Sequence, residues 1–333
     1  MLEHGGALRV AASRYRIPLS DWLDLSTGIN PNGWPVPPIP ATVWGRLPES
    51  DDGLEAAAAA YYDTSLLVPV AGSQAAIQAL PLLRDLGRVG VLSPTYAEHA
   101  HAWRRVGHSV ELLTANGLDA ALDRLDVLVV VNPNNPTGRR LSLATLLDWR
   151  ERLAARGGWL VVDEAFMDAS PGESLTAHVG LPGLVVLRSL GKFFGLAGAR
   201  VGFVLAEPAL LERVSEQLGP WTVTGSSRWV AKQALADCAW QEETRLGLLR
   251  SSKRLADLLG RQGLTVAGGT SLFQWVPSPD AEFWWDALAR RGILVRRFTD
   301  PLGLRFGLPG PESAWRRLEL ALVGIRAERL RQS

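Results

Sequence analysis

The chain has little of several features that would define a protein class. Its 333 residues contain one cysteine, Cys238, which excludes an internal disulfide and fits a reducing compartment; we expect a buried structural thiol. The net charge is +1, and no cluster of basic and aromatic residues indicates nucleic-acid binding. No apolar run approaches membrane-spanning length, the first residues contain no apolar region of the kind found in signal peptides, and His4-Gly5-Gly6 would break a helix early. The sequence therefore predicts a cytoplasmic protein.

Lysine is equally scarce, with three residues against 32 arginines. Lys232 and Lys253 lie in helix-like stretches, whereas Lys192 lies in the segment SLGKFFGLAGAR after the apolar run Leu184–Leu187. An amine that is half desolvated beside another cation is a nucleophile toward aldehydes. The neighbouring Ser189 and Arg200 offer a hydroxyl and a guanidinium to a phosphate. The segment predicts a Schiff base between Lys192 and pyridoxal phosphate; a surface lysine after a strand is the alternative.

The chain between residues 51 and 212 alternates short apolar runs with helical patterns. Asp51-Asp52-Gly53 predicts the start of an alanine-rich helix over Leu54–Tyr62. Strands are predicted at five apolar runs: Val89–Leu92, Val127–Val131, Leu160–Val162, Leu184–Leu187 and Val201–Leu205. Strands this apolar, separated by helices, are typical of a largely parallel sheet covered on both faces, with ligands at the carboxyl ends of its strands.

The rest of the chain has a different character. The first 40 residues predict a helix over Ala7–Tyr15, an extended piece over Leu23–Asn30 and a proline-rich surface linker over Pro31–Pro40. After residue 212 the predicted elements are the helices Ser227–Asp237, Gln241–Gly260 and Glu312–Arg331 and the strands Ser271–Val276, Ile293–Arg297 and Leu304–Gly307. We expect an N-terminal arm over 1–40, a large α/β domain over 41–212 and a small α+β domain over 213–333.

Four further motifs are of the kind that a pyridoxal phosphate site needs. Gly72, Ser73 and Gln74 open a helix, whose N–H groups favour a phosphate, although Gly-Ser is also a common helix cap. Asp163 ends a predicted strand, where a carboxylate can pair with the pyridinium nitrogen or simply cap a helix. Tyr96 can stack on the cofactor ring, although an aromatic residue here could also be core packing. Asn135 can hydrogen-bond the ring hydroxyl, although its Pro/Asn-rich segment could also be only a turn.

The motifs NPNNPTG, VVDEAF and SLGKFFGLAGAR, taken in this order, resemble the aspartate aminotransferase-like family, fold type I of the pyridoxal phosphate enzymes. The resemblance covers nearly the whole chain. It implies a large domain with a mostly parallel seven-stranded sheet, a smaller α+β C-terminal domain and a homodimer. It also implies that Lys192 carries the cofactor, that Asp163 pairs with the pyridinium nitrogen, and that the remaining cofactor contacts come from Ser73, Tyr96, Asn135, Ser189 and Arg200.

Two branches of this family are closest in pattern. Three features resemble the branch that decarboxylates L-threonine O-3-phosphate in cobalamin synthesis: the His4-Gly5-Gly6 element, the stretch Leu25-Ser-Thr-Gly-Ile-Asn-Pro31 with Asn30, and Phe166. Aminotransferases of the histidinol-phosphate branch usually carry tyrosine at the positions of Phe166 and Leu47. The pattern therefore favours a carboxy-lyase acting on threonine phosphate, with histidinol-phosphate aminotransferase as the alternative.

Substrate-binding candidates follow from the same resemblance. Arg296 and Arg305, near strand ends and glycines, are suited to bidentate contacts with a carboxylate or phosphate, although any single arginine is more often solvated. The other candidates are His4, Gly5, Asn30 and Asn135. His99 and His101 lack the Asp or Cys spacing of a metal site, so we expect surface polar residues there and no metal. The expected partners are a phosphorylated amino acid and a second copy of the chain, not a nucleic acid or a membrane.

Overall fold

The computed structural model describes residues 4–331, apart from the side chain of Leu330, and this part of the chain forms two compact units. The large unit comprises residues 33–135 and 139–243, and the small unit comprises the residues up to 32, residues 136–138 and those from 244 onward. These bounds differ from the predicted ones at residues 40 and 212. The N-terminal arm belongs to the small unit because its extended segment pairs with a C-terminal strand.

The large unit contains a seven-stranded sheet. Its strands are β2 (Leu67–Val70), β3 (Arg88–Leu92), β4 (Ser109–Leu113), β5 (Val127–Val131), β6 (Trp159–Asp163), β7 (Leu184–Ser189) and β8 (Gly202–Ala206). Their order in the sheet is β2-β8-β7-β6-β5-β3-β4, and β8 is antiparallel to both of its neighbours while the other pairs are parallel. Every residue of β5, β6 and β7 is buried, which explains their unbroken apolar runs. The predicted α/β class is confirmed.

The helices of this unit are α2 (Leu54–Tyr62), α3 (Ser73–Ala79), α4 (Glu98–Val106), α5 (Ala115–Leu122), α6 (Leu143–Ala154), α7 (Pro208–Leu218), α8 (Gly225–Ala236) and the start of α9 (Cys238–Arg261). Helices α3 to α6 each follow a strand, whereas β6, β7 and β8 are joined without an α-helix and α7 to α9 follow one another. A buried cluster of valine, leucine and alanine side chains from strands β2, β3 and β5–β8 packs with α3, α4 and α7. Asp52 accepts a hydrogen bond from the first helical N–H, that of Leu54 (3.0 Å), as the capping prediction required.

The small unit is built on a five-stranded sheet with the order β1-β11-β12-β10-β9. The strands are β1 (Leu23–Leu25), β9 (Gly268–Thr270), β10 (Phe273–Pro277), β11 (Ile293–Thr299) and β12 (Leu302–Gly307), and the helices besides α9 are α1 (Leu8–Tyr15), α10 (Ala281–Ala289) and α11 (Glu312–Leu330). Strand β1 is parallel to β11, and the other pairs are antiparallel. The extended segment predicted over Leu23–Asn30 is a strand only in its first three residues.

Two local expectations are wrong. Cys238 is exposed at the start of α9 and is not a buried structural thiol. The proline-rich stretch has no helix or strand, but it is more than a surface linker, because Trp34 is only 8% exposed. The Trp34 N–H donates to the Phe194 carbonyl (2.8 Å), and its indole Nε1 donates to Asp237 (3.0 Å). The segment therefore packs onto the turn that carries Lys192.

Among the described helices, none combines the length and the apolar character that crossing a membrane would require.

Candidate active site

Lys192 lies in the turn that follows strand β7. Its side chain is half-buried, and the Nζ atom lies 5.6 Å from the centroid of the Phe166 ring. The two phenylalanines that follow the lysine, Phe193 and Phe194, are fully buried. Phe194 stacks on Trp240, and Phe193 meets the same ring edge-on. These anchors hold the turn by packing, since a buried aromatic side chain fixes the backbone to which it is attached. The backbone on the carboxyl side of Lys192 is therefore fixed by buried aromatic packing.

Asp163 occupies the carboxyl end of strand β6. The residue is 3% exposed, so its carboxylate is removed from water and must be hydrogen-bonded. Oδ1 accepts from the Ala165 N–H (3.0 Å), and Oδ2 lies 2.9 Å from Nε2 of His99. The carboxylate is thus oriented from two sides at the strand end, where the sequence predicts the partner of a ring nitrogen.

His99 is a functional candidate that the sequence prediction missed. The prediction of two surface histidines is wrong for His99, which is 1% exposed, and right for the exposed His101. The helical spacing contains the signal: Ala102 and Trp103, three and four residues on, are both buried and place His99 on the same face of α4. No group of three or more His, Cys, Asp or Glu residues within the described chain is arranged to hold a metal ion.

The candidates for a phosphate converge at the start of α3. A Cβ built on Gly72, which has φ +74°, would lie 2.5 Å from Nη2 of Arg200, so only glycine allows this guanidinium to approach the helix start. A Cβ built on Gly202 would lie 2.6 Å from the backbone N atom of Ser73, so Gly202 is also close to the helix start. In the sheet, Gly202 pairs with Ser189. The three residues that the sequence assigned to a phosphate, Ser73, Ser189 and Arg200, therefore surround one place. The residue before this helix, Gly72, has no side chain to bond the first N–H groups, and such groups at a helix start favour an anion.

The Asn-Pro turn after β5 is held in part by Asn134. The Asn134 amide donates to the Pro94 carbonyl (2.9 Å) and accepts from the Thr95 hydroxyl (2.9 Å), which fixes the segment that carries Tyr96. Asn135 is half-buried next to them. The Tyr96 hydroxyl donates to the Gln74 side chain (3.3 Å), which in turn donates to Glu98 (3.0 Å). The Gln74 amide is thus engaged with protein groups, and a phosphate contact from this residue would come from its backbone N–H.

The small unit brings the two predicted arginines together. Arg296 and Arg305 are directly opposed on the adjacent strands β11 and β12, and Arg305 is 6% exposed. Burial and the charge of Arg296 lower the pKa of Arg305 to about 9, against the effect of Asp24. Two opposed guanidiniums, one of them buried, create a strongly positive region that favours a bound anion.

The N-terminal glycines lie at the same place. The Arg305 Nη2 donates to the Ser26 carbonyl (2.6 Å), while the Ser26 hydroxyl accepts from the Gly6 N–H (2.7 Å). A Cβ on Gly5 would lie 2.5 Å from that same carbonyl, so glycine is required there. Ser26, which the sequence prediction did not single out, thus joins His4-Gly5-Gly6 to Arg305. His4 itself is exposed.

Asn30 is 3% exposed, and its Oδ1 accepts from the N–H of Asn32 (2.9 Å). This contact fixes the backbone turn that leads out of β1.

Comparisons with known proteins agree with this arrangement. The profile of the family "Aminotransferase class I and II" matches residues 47–321. A threonine-phosphate decarboxylase of Pseudomonas aeruginosa is 60% identical over 98% of both chains, and a histidinol-phosphate aminotransferase of Shewanella amazonensis is 33% identical over 77% of this chain and 76% of its own. In fold, the chain is similar to a histidinol-phosphate aminotransferase from Sinorhizobium meliloti solved in complex with pyridoxal-5'-phosphate. The TM-score is 0.82 at 19% identity, and the match covers 98% of this chain and 96% of the other. The chain therefore belongs to the class I and II aminotransferase family.

Proposed function

We propose that this protein is a pyridoxal phosphate-dependent decarboxylase that converts L-threonine O-3-phosphate to (R)-1-aminopropan-2-yl phosphate and CO₂ in cobalamin synthesis. The observation that carries the proposal is the opposed pair Arg296 and Arg305, because this substrate presents both a carboxylate and a phosphate. The 60% identity to a threonine-phosphate decarboxylase, against 33% to a histidinol-phosphate aminotransferase, supports the decarboxylase over the aminotransferase.

The residues of the large unit fit pyridoxal phosphate. The close approach of Arg200 to Gly72, beside an uncapped helix start, makes a cradle suited to the cofactor phosphate. Asp163 is a buried carboxylate suited to a protonated ring nitrogen, and Lys192 provides the amine for the aldehyde. The remaining assignments are Ser73, the Gln74 N–H and Ser189 for the phosphate, Asn135 for the ring hydroxyl and Tyr96 for the ring face.

The bound cofactor supplies an electron-withdrawing ring that stabilises the charge left on the substrate Cα when CO₂ departs. Asp163 keeps a proton on the ring nitrogen, which preserves that capacity. His99 orients the carboxylate for this role through its 2.9 Å contact. Lys192 would hold the cofactor through its side-chain amine, and as an ammonium it would donate a proton to the substrate Cα at the position that the carboxylate leaves.

The anion-binding residues determine which bond breaks. The side chains that bind the two anionic groups of the substrate would fix its orientation, and with it which bond to Cα is placed for cleavage. We assign Arg296, Arg305, His4, Gly5 and Asn30 to these groups. Replacing either arginine with alanine should cost on the order of 2–5 kcal/mol of transition-state stabilisation in kcat/KM.

Phe166 and Leu47 distinguish the proposed activity from transamination. Phe166 is 4% exposed and presents its ring to Lys192 without a hydroxyl, so it has no donor for the cofactor. Leu47 is 64% exposed and likewise has no polar group for a phosphate. Both differ from the tyrosines that the aminotransferase branch carries.

A product assay tests the proposal. Given L-threonine O-3-phosphate and no oxo acid, the enzyme should release CO₂ over many turnovers. Borohydride treatment of the resting enzyme, followed by peptide mapping, should find the cofactor on Lys192 and not on Lys232 or Lys253. If CO₂ is absent and histidinol phosphate is consumed only when 2-oxoglutarate is added, the protein is an aminotransferase.

We further propose that the protein is a homodimer and acts in the cytoplasm. The large unit exposes apolar side chains that a partner would cover: Val36 (51% exposed), Trp44 (66%), Leu47 (64%) and Trp221 (58%). Trp221 also has φ +58°, a conformation in which a bulky residue is strained. The single cysteine supports the cytoplasmic location.

A further inference from the structure

A buried charged cluster lies at the ends of strands β6 and β7, outside the residues assigned to cofactor or substrate. The side chains of Arg188, Glu164 and Asp168 are at most 2% exposed. Arg188 donates through Nη1 to Glu164 (2.7 Å) and through Nη2 to Asp168. Glu164 also accepts from the Ser174 hydroxyl (2.5 Å) and the Leu175 N–H (2.8 Å). One guanidinium thus bonds two carboxylates, one through each of its terminal nitrogens.

Each member of the cluster is connected to a residue of the candidate site. Glu164 directly follows Asp163, and its N–H donates to the Leu187 carbonyl of β7 (2.9 Å). Asp168 follows Phe166 by two residues, in a short 3₁₀ turn over Met167–Ala169. The segment from Glu164 to Asp168 is therefore bonded to β7 at both ends by one side chain, that of Arg188.

A second connection leads to the lysine turn. The Tyr61 hydroxyl donates to Asp168 (3.1 Å), and the Tyr61 ring lies edge-on to Phe194, with 5.5 Å between the centroids. Phe194 follows Lys192 by two residues. Arg188 itself immediately precedes Ser189, so the cluster reaches the carboxylate, the lysine and one phosphate ligand.

Stability alone does not account for these charges. Three buried charges cost desolvation free energy, and replacing such a cluster by apolar side chains is often neutral or stabilising. Burial raises the pKa of Glu164, although Arg188 and the two hydrogen bonds act in the opposite direction. Keeping this carboxylate ionised in the folded protein therefore costs free energy. What the cluster supplies, and apolar side chains would not, is a set of directional hydrogen bonds from one rigid guanidinium.

We propose that Arg188 is a positioning residue that, through Glu164 and Asp168, holds Asp163 and Phe166 in place relative to Lys192. The inference rests on the proposed function, because Asp163 and Lys192 are assigned there to pyridoxal phosphate. Loss of the arginine would let the end of β6 and the following turn move, and the cofactor would then lose its alignment with Asp163.

The test compares Arg188→Met and Arg188→Lys with the wild type. Lysine keeps the charge but lacks the planar fork that bonds both carboxylates. The control is Arg228→Met, since Arg228 is also buried (6% exposed) and bonds two carboxylates, Asp52 and Glu55, in the same unit. Two readouts are measured: the Kd of pyridoxal phosphate for the apoenzyme, and the pH midpoint of the visible absorption of the bound cofactor.

Arg188→Met should bind the cofactor about ten- to a hundredfold more weakly, which is the loss found when residues that orient the ligands of a metal site are replaced. The variant should also shift the pH midpoint of the visible absorption. Arg188→Lys should change the Kd and the pH midpoint in the same direction as Arg188→Met, but by a smaller amount. Arg228→Met should lower the thermal stability and leave both readouts at their wild-type values. If Arg188→Met does not fold, Arg188→Lys decides.

The inference is overturned if the Arg188 variants that fold keep the wild-type Kd and pH midpoint, or if Arg228→Met changes both readouts equally. Borohydride labelling of the wild type separates this result from a failure of the proposed function. A wild type that binds no cofactor contradicts the proposed function, whereas a labelled wild type with unaffected Arg188 variants contradicts the positioning role alone.

Discussion

Buried charge is the property of single residues that best marks this site. Arg305 is buried and faces Arg296, and both conditions destabilise the charged form of its side chain. A bound anion would stabilise that charge. Asp163 is equally buried, and its orientation depends on His99. In both places a polar side chain is held where folding alone would favour an apolar one.

The pKa of about 9 for Arg305 predicts a pH-dependent anion affinity. The side chain is charged below pH 9 and loses its proton as the pH rises through 9, so binding weakens in that direction. We expect the holoenzyme to bind inorganic phosphate about tenfold more weakly at pH 10 than at pH 8, as measured by calorimetry. Arg305→Met should abolish this difference. Arg254→Met, which removes an exposed arginine paired with Glu312, is the control and should keep it. Equal affinities of the wild type at both pH values would contradict the prediction.

His99→Ala should destabilise the protein, because it leaves the buried Asp163 carboxylate without one of its two contacts. Loss of one partner of a buried hydrogen bond costs about 1–3 kcal/mol in the free energy of unfolding. Urea denaturation measures this cost. His101→Ala is the matched control on the same helix: the residue is exposed, and its replacement should change the free energy of unfolding by no more than about 0.5 kcal/mol. Similar losses in both variants would refute the role given to His99.

Whole elements were predictable where burial is uniform. Strands β5, β6 and β7 are covered on both faces, so their runs of valine and leucine identify them directly. Strand β4, Ser109–Leu113, escaped prediction because most of its residues are exposed or half-exposed at the sheet edge. Strand β9, Gly268–Thr270, contains two glycines and has no apolar pattern at all. Strand β9 forms because it pairs with β10, and the residues of β9 alone give no sign of this pairing.

The turn after β5 gives a prediction about backbone packing. Gly138 has φ +71°, and a Cβ there would overlap the backbone of Gly269 in β9. Gly138→Ala should therefore destabilise the protein by the left-handed backbone cost of about 1–2 kcal/mol plus an overpacking cost of about 1–3 kcal/mol.

Gly157→Ala isolates the first of these costs. Gly157 has a similar φ of +68° but no atom within 4 Å of an added Cβ. Thermal or urea unfolding of the two variants should show the larger loss at Gly138, and equal losses would mean that the contact with Gly269 contributes nothing.

At the scale of the whole molecule, the sequence indicated two units and most of the candidate site residues but not the bounds of the units. The N-terminal arm joins the small unit through the pairing of β1 with β11, about 270 residues apart along the chain. Periodicity reports local burial and cannot report such a pairing. The same limit explains why Ser26 was missed: its importance comes from Arg305 and Gly6, which approach it only in the fold.

The proposed homodimer also concerns the whole molecule. A stable interface buries about 1,200–2,000 Å², and most of its binding energy comes from a few residues, among which tryptophan is enriched. Light scattering should give about twice the chain mass of 36.1 kDa. Trp44→Ala should weaken association by about 2 kcal/mol or more, a factor of about 30 in the dissociation constant, because the truncated side chain no longer fills the partner surface. Leu320→Ala, at a 74% exposed position on α11, is the control and should leave the dissociation constant unchanged. A fully active protein that stays monomeric at all concentrations would exclude the dimer.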